Sequence, residues 1–460
     1  MQDRRKENAA GFESYVRRMM SEKQVPGIAV AVVSGEGNTL YENFFGVRDI
    51  QTAAPIDGDT IFGLASVTKS FTCAAVMQLQ ERGLLDIDDL VSKYIPELTG
   101  DRPVRIWHLM CHSGGYFPLP RILADDVARE MGIFEDKDGD LAHSERLAQK
   151  GVELVASRLA AQTNLTGRPG EHLSYCNDGF GILAEVVHRA SGERSFAAYV
   201  EKNILQPLGM DRSTCEFMKP AADKNCATLY EGDKADRNFY DNAFVLMGGG
   251  VLKSTLNNMK NYIRMHLSEG LAPSGQRVLS EYSIREMHKP HQVYSLQEYY
   301  GYGLSIHHMG DVVCIGHGGS LHGVSSNLQF SPQLGLGVMV LCNQTGVPVA
   351  GIAEAAMRWF AGLPLEKPDI FVDTPWTGRQ LKDAVGVYRS GEGTVCEIFD
   401  KDGVPGVRVD GREVTARPVE PNVLEVGDSP DSRGLMITLR SEERGIYAVR
   451  YGARLIPKEQ

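Results

Sequence analysis

The segment Ile61-Phe62-Gly63-Leu64-Ala65-Ser66-Val67-Thr68-Lys69-Ser70-Phe71-Thr72 contains the only S-x-x-K pattern of this 460-residue chain. Apolar residues recur at helical spacing from Val67 to Arg82, and they predict a helix that is buried on most sides. Residues three apart on a helix lie on neighbouring turns of the same face. The Lys69 amine is therefore expected to reach the Ser66 hydroxyl.

These two side chains have the chemistry of a nucleophile and its base. A serine hydroxyl is a weak nucleophile until an adjacent base accepts its proton. An amine serves as that base only when burial or a nearby cation lowers its pKa, and the apolar neighbours Phe62, Leu64 and Phe71 favour burial. The alternative is a helix-capping Ser66 beside a solvated Lys69, since S-x-x-K alone occurs by chance about twice in such a length.

Helical and strand patterns alternate on both sides of this segment. An amphipathic helix is predicted over residues 10–25, and another over 351–362. Short β-rich runs bounded by turn residues predict an antiparallel sheet, so the fold class is α+β with helices flanking that sheet. The predicted strands of the sheet are 28–33, 40–45, 312–315, 326–330 and 336–341.

The composition of the chain changes after a proline-marked connector that contains Pro364, Pro368 and Pro375. Beyond it, short alternating strands follow one another at regular spacing, which is typical of a small β-barrel or sandwich. We therefore expect a catalytic domain over residues 1–370 and a small all-β, barrel-like domain over 376–460.

Charge and hydropathy exclude several kinds of partner. The formal net charge of −11 leaves no excess of cations to replace phosphate counterions, so no nucleic-acid partner is expected. No run approaches the ~20 apolar residues that a membrane helix needs, so no membrane partner is expected either.

The first residues do not lead into a signal-peptide core. This predicts a cytoplasmic protein if the chain is full length, and a periplasmic or secreted one if a signal was removed.

Several cofactor and metal sites lack their sequence patterns. There is no G-x-x-x-x-G-K-[ST], no H-E-x-x-H and no G-x-S-x-G in the chain. The eight cysteines form no C-x-x-C pair and are expected to be buried free thiols. We expect neither a metal nor a cofactor, and we expect Gly248-Gly249-Gly250 to serve backbone packing.

The order of short motifs along residues 10–362 resembles that of the β-lactamase-like serine hydrolases. This group contains class C β-lactamases, D-aminopeptidases, D,D-carboxypeptidases and related esterases. The resemblance implies a β-lactamase/transpeptidase-like fold with a helical subdomain. The motifs that carry it, after the S-x-x-K segment, are Ile106-Trp107-His108-Leu109-Met110-Cys111-His112-Ser113-Gly114-Gly115, Pro169-Gly170, Tyr175-Cys176-Asn177, Pro207-Leu208-Gly209-Met210, Gly248-Gly249-Gly250-Val251, Tyr302-Gly303-Leu304 and Gly316-His317-Gly318-Gly319-Ser320.

The second family motif, Y-x-N, occurs three times, at Tyr41, Tyr175 and Tyr240. Only Tyr175 follows a Pro-Gly turn and precedes an apolar helix, as the family requires. A phenol is a poor base at its ordinary pKa, but beside Lys69 its phenolate would be favoured, so the two are treated as one coupled proton relay. The resemblance assigns Asn177 to the acyl side-chain amide of the substrate, with a turn residue as the alternative.

The third motif, H-x-G, also occurs three times, at His112, His308 and His317. His112 belongs to the His-Ser-Gly-Gly run and is expected to hold a loop, and His308 lies in a polar turn. His317 ends a predicted strand, where the resemblance puts it in the place of the Lys of K-T-G in true β-lactamases. With a pKa near neutrality it would bind a carboxylate or assist proton transfer.

The residues after His317 complete the site that the resemblance implies. The backbone N–H of Ser320, with that of Ser66, would form an oxyanion hole. Gly318 and Gly319 would let a substrate approach the edge strand closely. In related two-domain peptidases the C-terminal module contributes a loop to the active-site entrance. Here that loop would be 391–393 or 400–403, with a stabilising lid or an oligomer contact as the alternative.

The resulting prediction is a serine hydrolase that forms an acyl-enzyme at Ser66, acting as a D-aminopeptidase-like peptidase or amidase on small or D-residue-containing peptides. The alternatives are an esterase or a β-lactamase-type hydrolase with the same machinery. His317 in place of a lysine counts against a dedicated β-lactamase. A non-catalytic binding protein is the alternative from another class, and it predicts loss of Ser66, Lys69 or Tyr175. The expected partner is a small peptide, amide or ester, and a homo-oligomer is left open.

Overall fold

The computed structural model describes residues 2–100, 102–120, 141–216, 218–232, 234–237, 246–428 and 433–459. A 3₁₀ turn over Ala65–Val67 and a π-helical turn over Glu201–Leu205 interrupt the regular elements. In these ranges the α-helices are α1 (Gln2–Lys23), α2 (Thr68–Glu81), α3 (Ile106–Met110), α4 (Leu141–Ala160), α5 (Asn177–Ser191), α6 (Phe196–Val200), α7 (Met218–Ala222), α8 (Leu246–Gly250), α9 (Leu256–Leu267), α10 (Glu281–His288), α11 (Val349–Phe360) and α12 (Gly378–Ala384).

The strands fall into a group before the connector and a group after it. The first group is β1 (Gly27–Ser34), β2 (Thr39–Asp49), β3 (Ala54–Pro55), β4 (Phe62–Gly63), β5 (Leu229–Glu231), β6 (Lys234–Asp236), β7 (Lys253–Ser254), β8 (Gln292–Val293), β9 (Glu298–Tyr300), β10 (Ser305–Met309), β11 (Val312–Leu321), β12 (Val324–Ser331) and β13 (Leu336–Cys342). The second group is β14 (Gly386–Arg389), β15 (Val395–Lys401), β16 (Val404–Val409), β17 (Arg412–Val414), β18 (Ala416–Glu420), β19 (Val423–Val426), β20 (Gly434–Ser441), β21 (Gly445–Tyr451) and β22 (Arg454–Pro457).

A nine-stranded antiparallel sheet in the order β3-β2-β1-β13-β12-β11-β10-β9-β8 forms the centre of the fold. Strand β1 pairs with both β2 and β13, so Ile28 lies beside Phe45 on one side and Cys342 on the other. Alternate residues of β1 point to opposite faces, and both faces are covered. Ala29 joins the core that contains α2, whereas Ile28 joins the core under α1 and α11. Burial on both faces explains why the β1 sequence is continuously apolar.

Helix α2, which follows the S-x-x-K serine directly, is buried from Thr68 to Leu79. It packs against α5, α8, α6 and α10 in the helical region between β4 and β8. No polar face is exposed along this length, because helices surround it. The expected helical subdomain is therefore present, and α2 is its central element.

The region after the connector is all-β apart from the short helix α12, as predicted. Strands β14–β17 form one antiparallel sheet and β18–β22 form another, and among the described residues the two sheets do not close into a barrel. They enclose a core of their own that includes Tyr388, Ile398 and Leu424. The same region also packs on the rest of the chain, since Ala453 belongs to the main core. The second region is therefore docked, not loosely tethered.

The predicted helices over 10–25, 67–82 and 351–362 are confirmed as α1, α2 and α11, and the predicted strands of the sheet are confirmed as β1, β2, β11, β12 and β13. The sequence of residues 120–165 is charged and favours helix; residues 121–140 of it lie outside the described residues, and α4 occupies much of the rest. The cysteines are all buried free thiols. Within the part of the chain that the structure describes, no helix combines the length and apolarity needed to cross a bilayer.

Candidate active site

Ser66 lies in the 3₁₀ turn Ala65–Val67, immediately before helix α2. Ala65 has a φ of 47°, in the left-handed region that non-glycine residues rarely adopt. The turn is held by a hydrogen bond of 2.7 Å from Ser326 Oγ on β12 to Leu64 O. Strain of this kind persists only where the surroundings fix it, and here it presents Ser66 at the helix start.

The Lys69 amine is fully buried and lies within hydrogen-bond distance of three oxygens. Its Nζ is 3.0 Å from Ser66 Oγ, 2.8 Å from Asn177 Oδ1 and 2.8 Å from Gly249 O. The 3₁₀ turn before α2, the first residue of α5 and the end of α8 therefore each bring one oxygen to the Lys69 nitrogen. The predicted reach of Lys69 to Ser66 is present in the structure.

Burial strongly lowers the pKa of the Lys69 amine, because the charged form is poorly solvated in the core. The guanidinium of Arg454 lowers that pKa further, and the Glu392 carboxylate opposes it in part. Burial and the Arg454 charge therefore both favour a neutral amine. This is the protonation state in which a lysine accepts a proton.

Tyr175 is buried between three charged or aromatic groups. Lys69 Nζ lies 4.8 Å from the centre of its ring, and Arg454 Cζ lies 4.9 Å from it. The ring of His112 packs beside it with 4.1 Å between ring centres. The Tyr175 backbone N–H donates to Ala453 O at 2.8 Å. The C-terminal module therefore fixes the backbone of this residue directly.

The protonation state of Tyr175 differs from the sequence-based expectation. Burial raises the pKa of its phenol, and a hydrogen bond with Ser66 and the Arg454 charge offset only part of that shift. A phenolate beside Lys69 was expected. Because burial also favours the neutral form of the Lys69 amine, that amine provides little charge to stabilise a phenolate, and the protonated phenol of Tyr175 is the favoured form.

Asn177 begins α5 and bridges the two halves of the site. Its Oδ1 accepts from Lys69, and its Nδ2 donates to Glu392 Oε1 at 3.3 Å. The side chain is thus held by the protein at both ends. A substrate amide would have to compete with Glu392 for the Asn177 N–H groups.

The glycines Gly248, Gly249 and Gly250 form the end of α8 behind Lys69. A Cβ on Gly248 would lie 2.1 Å from Phe180 O, so only glycine lets α8 approach α5 this closely. That approach brings Gly249 O to Lys69. The expected packing role of this run is present. The run also supplies the Gly249 carbonyl as a hydrogen-bond acceptor for the Lys69 amine, which the sequence did not indicate.

His317 is buried, and both of its ring nitrogens take part in hydrogen bonds to the protein. Nε2 is 2.8 Å from the Tyr300 hydroxyl, and Nδ1 is 2.5 Å from Gly318 O. Burial, with the Lys69 charge as a second cause, lowers the pKa of the imidazole to about 3. The near-neutral pKa expected from the sequence is therefore not observed, because the ring lies in the core and not at the surface of a cleft.

The edge of β11 after His317 lies against the serine turn. A Cβ on Gly319 would lie 2.3 Å from Leu64 O, so this glycine is required for the strand to contact the turn. From the sequence, close approach of a substrate is the expected reason for the glycine at 319. The structure shows instead that it allows close approach of the backbone at Leu64. Gly318 and Ser320 are exposed on the same strand.

Two charged residues of the C-terminal module complete the site. Arg454 Nε donates to Glu392 Oε2, and Glu392 also accepts from Asn177. The loop around Glu392 is seated firmly, since a Cβ on Gly391 would lie 2.4 Å from Pro118 O. Of the two loops named from the sequence, 391–393 is the one at the site.

The other named loop, 400–403, makes its contacts elsewhere. Asp400 Oδ1 accepts from Gly403 N within its own hairpin, and Asp402 is exposed. Sequence reasoning did not find Arg454, Ala453 or Tyr300, because none of them lies within a recognised motif and their partners are distant in the chain. Among the described residues, no group of three or more His, Cys, Asp and Glu side chains is arranged to hold a metal ion.

An antiparallel sheet flanked by helices, with a helical region beside it and a Ser–Lys–Tyr cluster where they meet, defines the β-lactamase/transpeptidase class of fold. Residues 12–361 match the family model described as Beta-lactamase, and the chain therefore belongs to the beta-lactamase family. It is a serine hydrolase of that family.

Named relatives agree with this assignment. A D-aminopeptidase of Brucella anthropi is 25% identical over 456 residues, which cover 97% of this chain and 78% of the relative. Esterase EstB of Burkholderia gladioli is 32% identical over 233 residues, 49% of this chain and 55% of the esterase. The structure of an octameric penicillin-binding protein homologue from Pyrococcus abyssi matches with a TM-score of 0.67 and 26% identity, over 97% of this chain and 99% of that one.

The lowered pKa of Lys69 predicts a pH-dependent stability difference between the wild type and the Lys69→Met variant. Between the lowered pKa and the ordinary value near 10.5, the unfolded chain binds a proton that the folded chain does not. The unfolding free energy of the wild type relative to Lys69→Met should therefore rise with pH, by up to about 1.4 kcal/mol per unit. Urea unfolding from pH 6 to pH 10 measures it. A flat difference over that range would mean that Lys69 keeps its proton on folding.

Proposed function

We propose that the protein forms an acyl-enzyme at Ser66 and hydrolyses amide bonds of small or D-residue-containing peptides. The observation that carries this proposal is the buried Lys69 amine, held by Asn177 Oδ1 and Gly249 O, 3.0 Å from Ser66 Oγ. A neutral amine donates two N–H bonds to these two oxygens, which leaves its lone pair directed at the serine. This is the arrangement that general-base activation of a hydroxyl requires.

The reaction follows from this arrangement. Ser66 Oγ bonds to the substrate carbonyl carbon as its proton passes to Lys69. The resulting oxyanion accepts hydrogen bonds from the backbone N–H groups of Ser66 and Ser320. The proton reaches the leaving amine through the Tyr175 hydroxyl, the C–N bond breaks, and the acyl-enzyme remains. Water then attacks the ester, its proton returns by the same groups, and the acid leaves with Ser66 restored.

The substrate class rests on the relative that spans almost the whole chain, the D-aminopeptidase, and on the charges beside Tyr175. We propose a catalytic domain over 1–370 and an all-β domain over 376–460 that restricts the cleft through Glu392. The Glu392 carboxylate, with Asn177 beside it, is suited to a substrate that carries a free ammonium group near the scissile bond. Its ion pair with Arg454 fixes its position.

An esterase is the second candidate, because the same Ser66, Lys69 and Tyr175 would act on an ester and because esterase EstB is among the relatives. His317, neutral and fully hydrogen-bonded, offers no charge to a β-lactam carboxylate, which counts against a β-lactamase. A non-catalytic binding protein is disfavoured because all three residues are present in one cluster.

Labelling with a fluorophosphonate probe tests the nucleophile. The wild type should be labelled at Ser66, Ser66→Ala should not be labelled, and Lys69→Met should be labelled at least about 100-fold more slowly because the base is lost. Ser70→Ala is the matched control, since Ser70 is a buried serine of α2, four residues after Ser66, whose hydroxyl contacts Val67 O and Tyr262. A folded wild type that stays unlabelled would favour the binding protein.

The Glu392→Gln variant tests the substrate class. With a D-alanine anilide, which carries a free ammonium, kcat/KM should fall about 10-fold, as expected for loss of one charge-assisted hydrogen bond. The N-acetylated anilide and a short acyl ester should change little. Asp402→Asn removes a charge from the exposed 400–403 loop and should change none of the three. Equal losses on all three substrates would show that Glu392 acts only by holding Asn177 and Arg454, and not on the substrate ammonium.

Self-association is the assembly that the likeness to the octameric Pyrococcus abyssi protein supports. We expect light scattering on the purified chain to give a multiple of the monomer mass. A mass equal to that of the monomer at micromolar concentration would contradict this expectation.

A further inference from the structure

A chain of buried hydrogen bonds joins three elements behind the candidate site. His112 Nε2 lies 3.2 Å from the Tyr300 hydroxyl, and that hydroxyl lies 2.8 Å from His317 Nε2. His112 follows α3, Tyr300 ends β9 and His317 is on β11. All three residues are at most 7% exposed. The proposed mechanism uses neither Tyr300 nor His112.

The direction of every hydrogen bond in this chain follows from its first member. The backbone N–H of Cys176 points at His112 Nδ1, 3.1 Å away, and a backbone amide can only donate. His112 Nδ1 is therefore the acceptor, and the proton of the neutral ring is on Nε2, which donates to Tyr300. Tyr300 accepts that bond and has one hydrogen left to donate.

The second half of the chain is fixed in the same way. The Tyr300 hydroxyl donates to His317 Nε2, so the proton of the neutral His317 ring is on Nδ1. That proton is donated to Gly318 O at 2.5 Å, and a carbonyl oxygen can only accept. Donors thus run without conflict from Cys176, next to Tyr175, to the carbonyl of Gly318 on β11.

We propose that Tyr300 is a positioning residue that locks His112 and His317 in single, opposite tautomers and so holds Tyr175 and the β11 edge in register. The inference rests on the proposed function, because the groups it positions are those of the proposed reaction. His112 supports the face of Tyr175, with 4.1 Å between ring centres, and its Nδ1 fixes the next peptide unit. His317 precedes the residues that contact the serine turn. Neither histidine has a ring nitrogen left to exchange a proton with substrate.

The surrounding charges agree with two neutral rings. Burial lowers the pKa of both imidazoles. The positive charge of Lys69, when present, lowers the pKa of both imidazoles further. The positive charge of Arg454 also lowers the pKa of His112. A proton on His112 Nδ1 would face the Cys176 N–H donor, and a proton on His317 Nε2 would leave the Tyr300 hydrogen without its acceptor. This chain of hydrogen bonds is therefore compatible with one arrangement of protons.

The Tyr300→Phe variant removes the central hydroxyl and keeps the ring. Acylation of Ser66 by the fluorophosphonate probe should slow about 10- to 100-fold, because two buried ring nitrogens lose their partner. Tyr388→Phe is the matched control, since Tyr388 is a buried tyrosine of the C-terminal module whose hydroxyl donates to Ala384 O. It should leave the acylation rate unchanged. Equal slowing in both variants would overturn the proposal.

Imidazole nitrogen NMR shifts give a readout that is independent of activity. In the wild type, His112 should be protonated on Nε2 and His317 on Nδ1, and in Tyr300→Phe the His317 signals should show a mixture of tautomers. A wild-type His317 protonated on Nε2 would overturn the proposal even if the variant does not fold. If the wild type shows the expected tautomers but Ser66 is never acylated, the proposed function fails and the hydrogen-bond chain stands.

The double variant Tyr300→Phe/His317→Ala tests whether Tyr300 acts through His317. If it does, the double variant should be acylated no more slowly than His317→Ala alone, within a factor of about two. Multiplying losses would show that Tyr300 acts through His112 and not through His317, and the positioning role through His317 would be wrong.

Discussion

The burial of one amine, that of Lys69, is the constraint on which the rest of the site depends. A lysine in the core costs stability unless it is neutral and hydrogen-bonded. Here the α5 residue Asn177 and the α8 residue Gly249 supply two acceptors, and Ser66 lies at the third position. Helix α2 must therefore be surrounded by other helices, and α8 needs a glycine at 248 to come close enough. The helical region follows from this requirement.

The second consequence is that the all-β module belongs to the site and not only to the surface. Its Ala453 carbonyl holds the Tyr175 backbone, and its Arg454 guanidinium lies over the Tyr175 ring. Ala453 is also part of the main hydrophobic core. Truncation at the connector would therefore disturb Tyr175 as well as widen the cleft, and point variants such as Glu392→Gln separate these effects better.

Local patterns in the sequence were sufficient for the helix α2, for five of the nine strands of the sheet and for the proximity of Ser66 and Lys69, because each depends on spacing within a few residues. They were not sufficient to choose between the two loops that the resemblance offered, because Glu392 of 391–393 contacts Asn177 across 215 positions of the chain. They also misjudged the pKa of His317. Its protonation depends on burial by strands and by Tyr300, and burial at one residue is a property of the whole fold that no short motif records.

The identity of His317 also changes where positive charge lies in the site. A lysine at this position of β11 would place an ammonium beside Lys69 and raise the cost of burying both. A neutral imidazole avoids that repulsion, and the guanidinium that lies over the Tyr175 ring is that of Arg454, which pairs with Glu392. The positive charge thus comes from the C-terminal module and not from the edge strand. Because Arg454 lowers the pKa of Lys69 and so favours the neutral amine that can accept a proton, the module influences the protonation state of the site as well as its shape.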